Sequence, residues 1–176
     1  MASVALVSVL GPDRVGLVAA IADHLFNVGV NLRDTTFAAL GSGAEFVALC
    51  ELPADLKAAD IEAGLKRLPV LDGAEIRAVP YAFDPSPGPA GSVTHRITIS
   101  GGDQLGLVAR LSEVFKQYEA NIVRLEARKL PDSEGGLYVT RFAVSIPAGQ
   151  TDLCLATVSN TAGSLSLSCQ VEESSL

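Results

Sequence analysis

Apolar and polar positions follow two rhythms along this chain, and they alternate in a fixed order. Ser3–Val9 (SVALVSV) is β-branched and apolar, the signature of a short buried strand. Gly11-Pro12-Asp13 interrupts it with turn chemistry, and Asp13 stands where it could cap a following helix. Val15, Val18, Ile21, Ala22, Leu25 and Val28 then recur at three and four, which predicts an amphipathic helix. Gly29 fits its C-terminal stop, where positive φ suits glycine. Val30–Leu40 and Glu45–Leu52 read as two strands joined by a Gly41-Ser42-Gly43 hairpin signal. Ala54–Leu68 predicts a second helix, with Leu56, Ile61, Leu65 and Leu68 inward, and Ala74–Tyr81 a closing strand. The order is βαββαβ.

That order returns. A shift of ninety residues lays Gly11, Asp13 and Gly16 on Gly101, Asp103 and Gly106, and Leu17-Val18-Ala19 on Leu107-Val108-Ala109. Asn31 falls on Asn121, and the apolar positions Ile21, Leu25 and Leu32 fall on Leu111, Phe115 and Ile122. So long a period, holding whole supersecondary units, indicates duplicated domains and not a solenoid. The second copy is expected as strand Thr94–Ser100, helix Leu105–Tyr118, strands Asn121–Leu130 and Leu137–Ile146, helix Thr151–Thr161 and strand Ser164–Val171. Its hairpin, KLPDSEGGLYV, is longer. Its last helix, weakly charged and β-branched, is expected to be short. Between the copies AFDPSPGPAGS carries prolines and glycines without apolar periodicity, which marks a linker. The expected organisation is module 1 over 1–81, linker over 82–92 and module 2 over 93–176. The expected class is α+β: two ferredoxin-like modules, each an antiparallel sheet with its helices on one face.

Charge narrows the partners. The net charge is −7 and both halves are acidic, so an electrostatic grip on phosphate backbones is disfavoured. The start, MASVALVSVL, lacks the basic residues of a signal peptide. No apolar run reaches the roughly 18 residues of a membrane span. Cys50, Cys154 and Cys169 form no CxxC and read as buried thiols of a reducing cytoplasm. His24 and His95 are isolated, no cluster has metal-ligand spacing, and no cofactor is expected. GPDRVG is neither a dinucleotide fingerprint nor a P-loop, and no Gly-x-Ser-x-Gly elbow is present. Glu172-Glu173 reads as a solvated tail.

The stretch DRVGLVAAIADHLFNVGVNL resembles the opening of an ACT domain, a small-ligand regulatory module of amino-acid metabolism. Gly16 and Asn31 are fifteen apart, as are Gly106 and Asn121, a spacing similar to that of amino-acid-sensing members. A tandem pair covering the whole chain resembles the glycine cleavage system transcriptional repressor group. The resemblance implies a cytoplasmic, non-catalytic regulator that binds a small amino acid, glycine first, and acts through a protein partner such as a transcription regulator. It implies no direct nucleic-acid or membrane contact, and a homodimer is compatible with it. A constitutive interaction module with a vestigial pocket, and an enzyme on the same scaffold, are the competing readings; no nucleophile–base constellation favours the enzyme.

The chemistry is consistent with such a ligand. A carboxylate seeks the unpaired N–H groups of a helix's first turn, here Arg14 to Leu17. An ammonium seeks acceptors such as Asp13, Asp103 or the carboxamides of Asn31 and Asn121; the competing roles are a helix cap for Asp13 and turn support for Asn31. Gly11 and Gly16 would admit a small ligand close to the backbone. In the family the turn of one module faces the asparagine of its neighbour. The resemblance therefore pairs Asp13 and Gly16 with Asn121, and Asp103 and Gly106 with Asn31. The second turn has Gly102 and Gln104 where the first has Pro12 and Arg14, so the first is expected to bind better.

Overall fold

The computed structural model describes residues 3–86, 88, 91–130 and 136–174. The chain divides into two compact units, Met1–Pro85 and Ser86–Leu176. Unit 1 runs β1 (Ser3–Pro12), α1 (Leu17–Asn27), β2 (Asn31–Leu40), β3 (Gly43–Leu52), α2 (Ala58–Leu65) and β4 (Glu75–Pro80). Unit 2 runs β5 (His95–Gly101), α3 (Leu107–Gln117), β6 (Asn121–Leu130), β7 (Leu137–Ser145), α4 (Thr151–Ser164) and β8 (Ser168–Glu173). Each forms a four-stranded sheet, ordered β2-β3-β1-β4 or β6-β7-β5-β8, with every pair antiparallel. The expected βαββαβ order and α+β class therefore hold in both units. Of the expected linker, Pro87, Pro89 and Ala90 lie outside the described residues, as does 131–135 in the second hairpin.

Alternation in the central strand builds each core. Ala5, Val7 and Val9 of β1 are buried against Leu17, Ile21 and Leu25 of α1 and Ile61 and Leu65 of α2. In unit 2, Ile97 and Ile99 of β5 meet Leu111 and Phe115 of α3 and Cys154 and Val158 of α4. Phe115 and Phe142 pack with ring centroids 5.2 Å apart, a tilted aromatic pair at the centre of this core.

Several boundaries differ from the sequence expectation. Val15 is fully exposed, and α1 begins at Leu17. The stripe that is buried, Leu17, Ile21 and Leu25, runs at intervals of four and leaves Val15 off its face. Helix α2 occupies Ala58–Leu65 instead of Ala54–Leu68. At its start the Lys57 N–H donates to the Asp60 carboxylate at 3.0 Å, and beyond its end Pro69–Leu71 tightens into a 3-10 turn.

Helix α4 runs to Ser164, longer than expected. Its buried residues Cys154, Val158 and Ala162 form a stripe at intervals of four, so packing overrides weak propensity. The Thr157 and Thr161 hydroxyls also bond the carbonyls of Leu153 and Thr157, each at 2.8 Å, and so are satisfied within the helix. The longer helix moves β8 to Ser168–Glu173. Glu172 and Glu173 are therefore strand residues opposite Arg96 and His95, with exposed side chains on a paired backbone, and not a tail.

Both first helices close alike. In α1 the N–H groups of Gly29 and Val30 donate to Phe26 and Leu25 carbonyls, each at 2.9 Å. In α3 those of Glu119 and Ala120 donate to Lys116 and Phe115 at 3.2 and 2.9 Å. This is the Schellman closure, whose pivot is left-handed. Gly29 takes φ 75 there, as its sequence position predicts, whereas unit 2 places Glu119 at φ 54.

Candidate functional site

In unit 1 the first turn is held by its own neighbours. The Asp13 N–H donates to the Ser42 carbonyl at 3.0 Å, tying the turn to the hairpin tip. A Cβ on Gly11 would lie 2.6 Å from that of Ala74, so Gly11 permits close packing beside β4. Gly16 precedes the helix at φ 87, a left-handed conformation, with open space where a side chain would stand.

The Leu17 and Ala20 N–H groups bond the Arg14 and Gly16 carbonyls at 3.2 and 2.9 Å. The amides of Val18 and Ala19 between them meet no carbonyl of the turn. The N-cap is Gly16, with no side-chain cap, so Asp13 is not the cap: it lies too far ahead of the first helical residue. Arg14 turns back into its own unit, donating to the Val70 carbonyl at 2.9 Å and that of Pro69 at 3.4 Å. Its fork thus answers carbonyls at the 3-10 turn.

Unit 2 repeats the backbone with different side chains. Gly106 takes φ 80, and the Leu107 and Arg110 N–H groups bond the Gln104 and Gly106 carbonyls at 3.2 and 3.0 Å. The Val108 and Ala109 amides again meet no carbonyl of the turn. Here the structure opens a hollow of about 230 Å³. Asp103, Gln104, Leu105 and Gly106 form one wall, and Tyr138 of β7 another. Lys129 of β6 places its ammonium 3.0 Å from the Asp103 carboxylate, both groups remaining largely exposed.

The asparagines sit elsewhere. Asn31 opens β2 opposite Glu51, and its Nδ2 donates to Glu51 Oε2 at 3.0 Å; Arg33 approaches the same carboxylate at 3.5 Å. The donated bond directs the Asn31 carbonyl oxygen away from Glu51. Asn121 opens β6 opposite Ser145, which stands where unit 1 has Glu51. Within a unit the turn and the asparagine stand at opposite ends of an eleven-residue helix, roughly 16 Å long at 1.5 Å per residue. One unit alone therefore does not bring the two together. It does join Asp103, Gln104 and Gly106 around one hollow.

Sequence reasoning missed Lys129, Tyr138, and the tip residues Val15 and Leu105, both fully exposed. A signal for the last two existed: each is an apolar residue immediately before the glycine that leads into the helix, out of step with the buried helical stripe. Burial pushes the Cys50 thiol up to about 11 and raises Cys154 and Cys169 as well, although Cys169, read from the sequence as buried, is only half-buried. Among the described residues no group of three or more His, Cys, Asp or Glu could hold a metal ion. Among the same residues no helix is long and apolar enough to cross a membrane.

Residues 3–78 match the family model of the ACT domain. Over these residues the first unit is similar to an ACT domain. Unit 2 carries the ACT fold of unit 1, with the same strand order and connections. Two solved structures are similar over the full length. One, an unknown protein from Galdieria sulphuraria, is 24% identical with a TM-score of 0.78, over 99% of this chain and 100% of that one. The other, provisionally assigned as a glycine cleavage system transcriptional repressor, is 14% identical with a TM-score of 0.69, over 100% of this chain and 99% of that one. At these identities the likeness is one of fold. Among curated proteins none matches the sequence significantly.

Proposed function

We propose that this protein is a non-catalytic regulator that binds a small amino acid at the turns before α1 and α3 and signals through a protein partner. The hollow at Asp103–Gly106 is the observation that carries this reading. Its 230 Å³ is below the usual range for drug-sized ligands and suits a compact metabolite. The Val108 and Ala109 amides offer donors to a carboxylate at a helix N-terminus, where the dipole adds to the attraction. Asp103 already accepts the ammonium of Lys129, so a ligand ammonium would take that place. The likeness to a provisionally assigned glycine cleavage repressor makes glycine the first ligand to test. The acidic charge of −7 favours output through a protein and not through DNA.

The two turns are unequal in this reading. Among the described residues Asp13 carries no ion pair of the kind that engages Asp103, while Arg14 must leave the Val70 carbonyl before it can meet a ligand. Titration calorimetry and thermal shift with the twenty amino acids test the proposal. A ligand at a hundred times its Kd adds about 2.7 kcal/mol, or roughly 5–10 °C in a chain of this size. Asp13→Asn and Asp103→Asn then report which turn binds, and Asn31→Ala and Asn121→Ala report whether either carboxamide takes part. Flat calorimetry with every amino acid at millimolar concentration would instead favour the constitutive interaction module.

A further inference from the structure

Strand alternation gives each sheet a second face, turned away from its helices, and the two units fill it differently. In unit 2 that face carries Arg124 and Glu126 of β6, Arg141 of β7, Arg96 and Thr98 of β5, and Glu172 of β8. The register sets them in two rows. Arg124 stands opposite Ala143, Ala143 opposite Arg96, and Arg96 opposite Glu172. In the next row Glu126 stands opposite Arg141, and Arg141 opposite Thr98. Arg141 is thus diagonal to both Arg124 and Arg96, at the roughly 7–8 Å typical of such neighbours. Ala143, the small residue between Arg124 and Arg96, leaves room above the sheet. These residues frame an open cleft of about 480 Å³.

The fold does not require this charge. At the corresponding positions unit 1 has Leu6 for Arg96, flanked by Leu49 and Val79, and Val47 for Arg141. Gathering three guanidiniums also works against stability, since like charges on neighbouring strand positions repel. None of the three forms an ion pair within 4.0 Å among the described residues. The Arg96 Nη1 donates to the Ser174 hydroxyl at 2.8 Å, whereas among the described residues no hydrogen bond occupies the forks of Arg124 and Arg141. In a chain of net charge −7, the cleft concentrates the opposite sign.

We propose that this cleft is a binding site for a small molecule bearing two or more negative oxygens, a dicarboxylate or a phosphate. A guanidinium presents parallel N–H groups that match either group bidentately. Forks on adjacent strands, set diagonally, can hold two oxyanion groups, or one phosphate between them. Glu126 and Glu172 oppose Arg141 and Arg96 and leave Arg124 as the uncompensated charge. Binding therefore centres on the Arg124–Arg141 diagonal. The site is separate from the turn hollow, shares no residue with it, and stands independently of the amino-acid reading.

Titration calorimetry on the full chain at low ionic strength, where screening is weak, tests it with two probes, malonate and inorganic phosphate. Saturable binding of one probe and not the other identifies the ligand class; both binding supports a general dianion site. Arg124→Gln and Arg141→Gln should each weaken affinity roughly ten- to a hundredfold, while Arg110→Gln on α3 leaves it unchanged. Melting curves without ligand check the folds, and Arg141→Lys, which keeps the charge and loses the fork, serves if the glutamine variant is unfolded. Absence of saturable binding with both probes overturns the proposal, as does affinity that survives the double variant Arg124→Gln/Arg141→Gln or falls equally in Arg110→Gln.

Discussion

Replacing Glu119 by glycine should stabilise unit 2. The residue sits at the left-handed pivot of the α3 closure, at φ 54, where unit 1 has Gly29 at φ 75. A Cβ in this conformation costs roughly 1–2 kcal/mol. The added freedom of glycine in the unfolded chain returns about 0.5–1 kcal/mol of that. The negative side chain also lies at a helix C-terminus, where the dipole disfavours it by a few tenths to about 1 kcal/mol. The net gain should be about 1 kcal/mol, or roughly 2–4 °C for a chain of this size. Urea unfolding followed by circular dichroism gives the measurement, with the midpoint expected to rise at unchanged slope. Glu119→Ala separates the causes: it removes the charge and keeps the Cβ, so it should recover only the dipole part. The reciprocal Gly29→Glu should destabilise unit 1. If alanine stabilised as much as glycine, backbone strain would not be the cause. If glycine lowered the midpoint, the argument would be wrong.

Two further outcomes follow from buried groups. The Thr140 hydroxyl has no partner among the described residues and is fully buried; Thr140→Val, nearly equal in volume, should raise stability by about 1–2 kcal/mol in the same denaturation assay, and a loss would show that the hydroxyl is satisfied. Burial raises the Cys50 thiol from 9.0 to about 11. The unfolded thiol therefore loses its proton first, and stability present below pH 9 should fall as pH rises towards 11, by about 1.4 kcal/mol per unit at most. Cys50→Ala should flatten that alkaline slope relative to the parent chain, and an unchanged slope would assign it to other groups.

Much of the fold was legible because its signals are local and repeated. The Gly41-Ser42-Gly43 hairpin and the Gly29 stop each rest on a residue whose backbone freedom has one evident use. Boundaries were less legible where packing outweighs propensity. The Cys154, Val158 and Ala162 stripe of α4 stands among Thr, Ser, Asn and Gly residues of low helix propensity, yet each of the three is fully buried. The candidate site was legible in part. Gly16 and Gly106 take the left-handed turn, and Gly11, read as ligand access, also permits close packing against Ala74. The partners of Arg14 and Asp103 lie 56 and 26 residues away along the chain. No local pattern specifies such a contact, and these contacts decide which side chains are at hand for a ligand.

The two units provide an internal control on what the fold itself demands. At most core positions the copies agree in kind: Val7 and Ile97, Leu17 and Leu107, Ile21 and Leu111, Leu25 and Phe115 are all buried and apolar, whereas buried Thr140 and His95 stand where unit 1 has Phe46 and Ala5. Burial of such apolar side chains contributes roughly 1.5–3 kcal/mol each, which keeps most of these positions apolar. Exposed positions face no such penalty, and there the copies part. Leu6 answers to Arg96, Val47 to Arg141, Arg14 to Gln104 and Gly29 to Glu119. The last of these adds strain, and the first two gather like charge, so neither difference is explained by stability. A duplicated chain that kept both cores and changed one open face and one turn has separated its scaffold from its surfaces. On the two readings proposed above, unit 2 alone would answer two chemically different ligands, a zwitterion at its turn and an anion on its sheet.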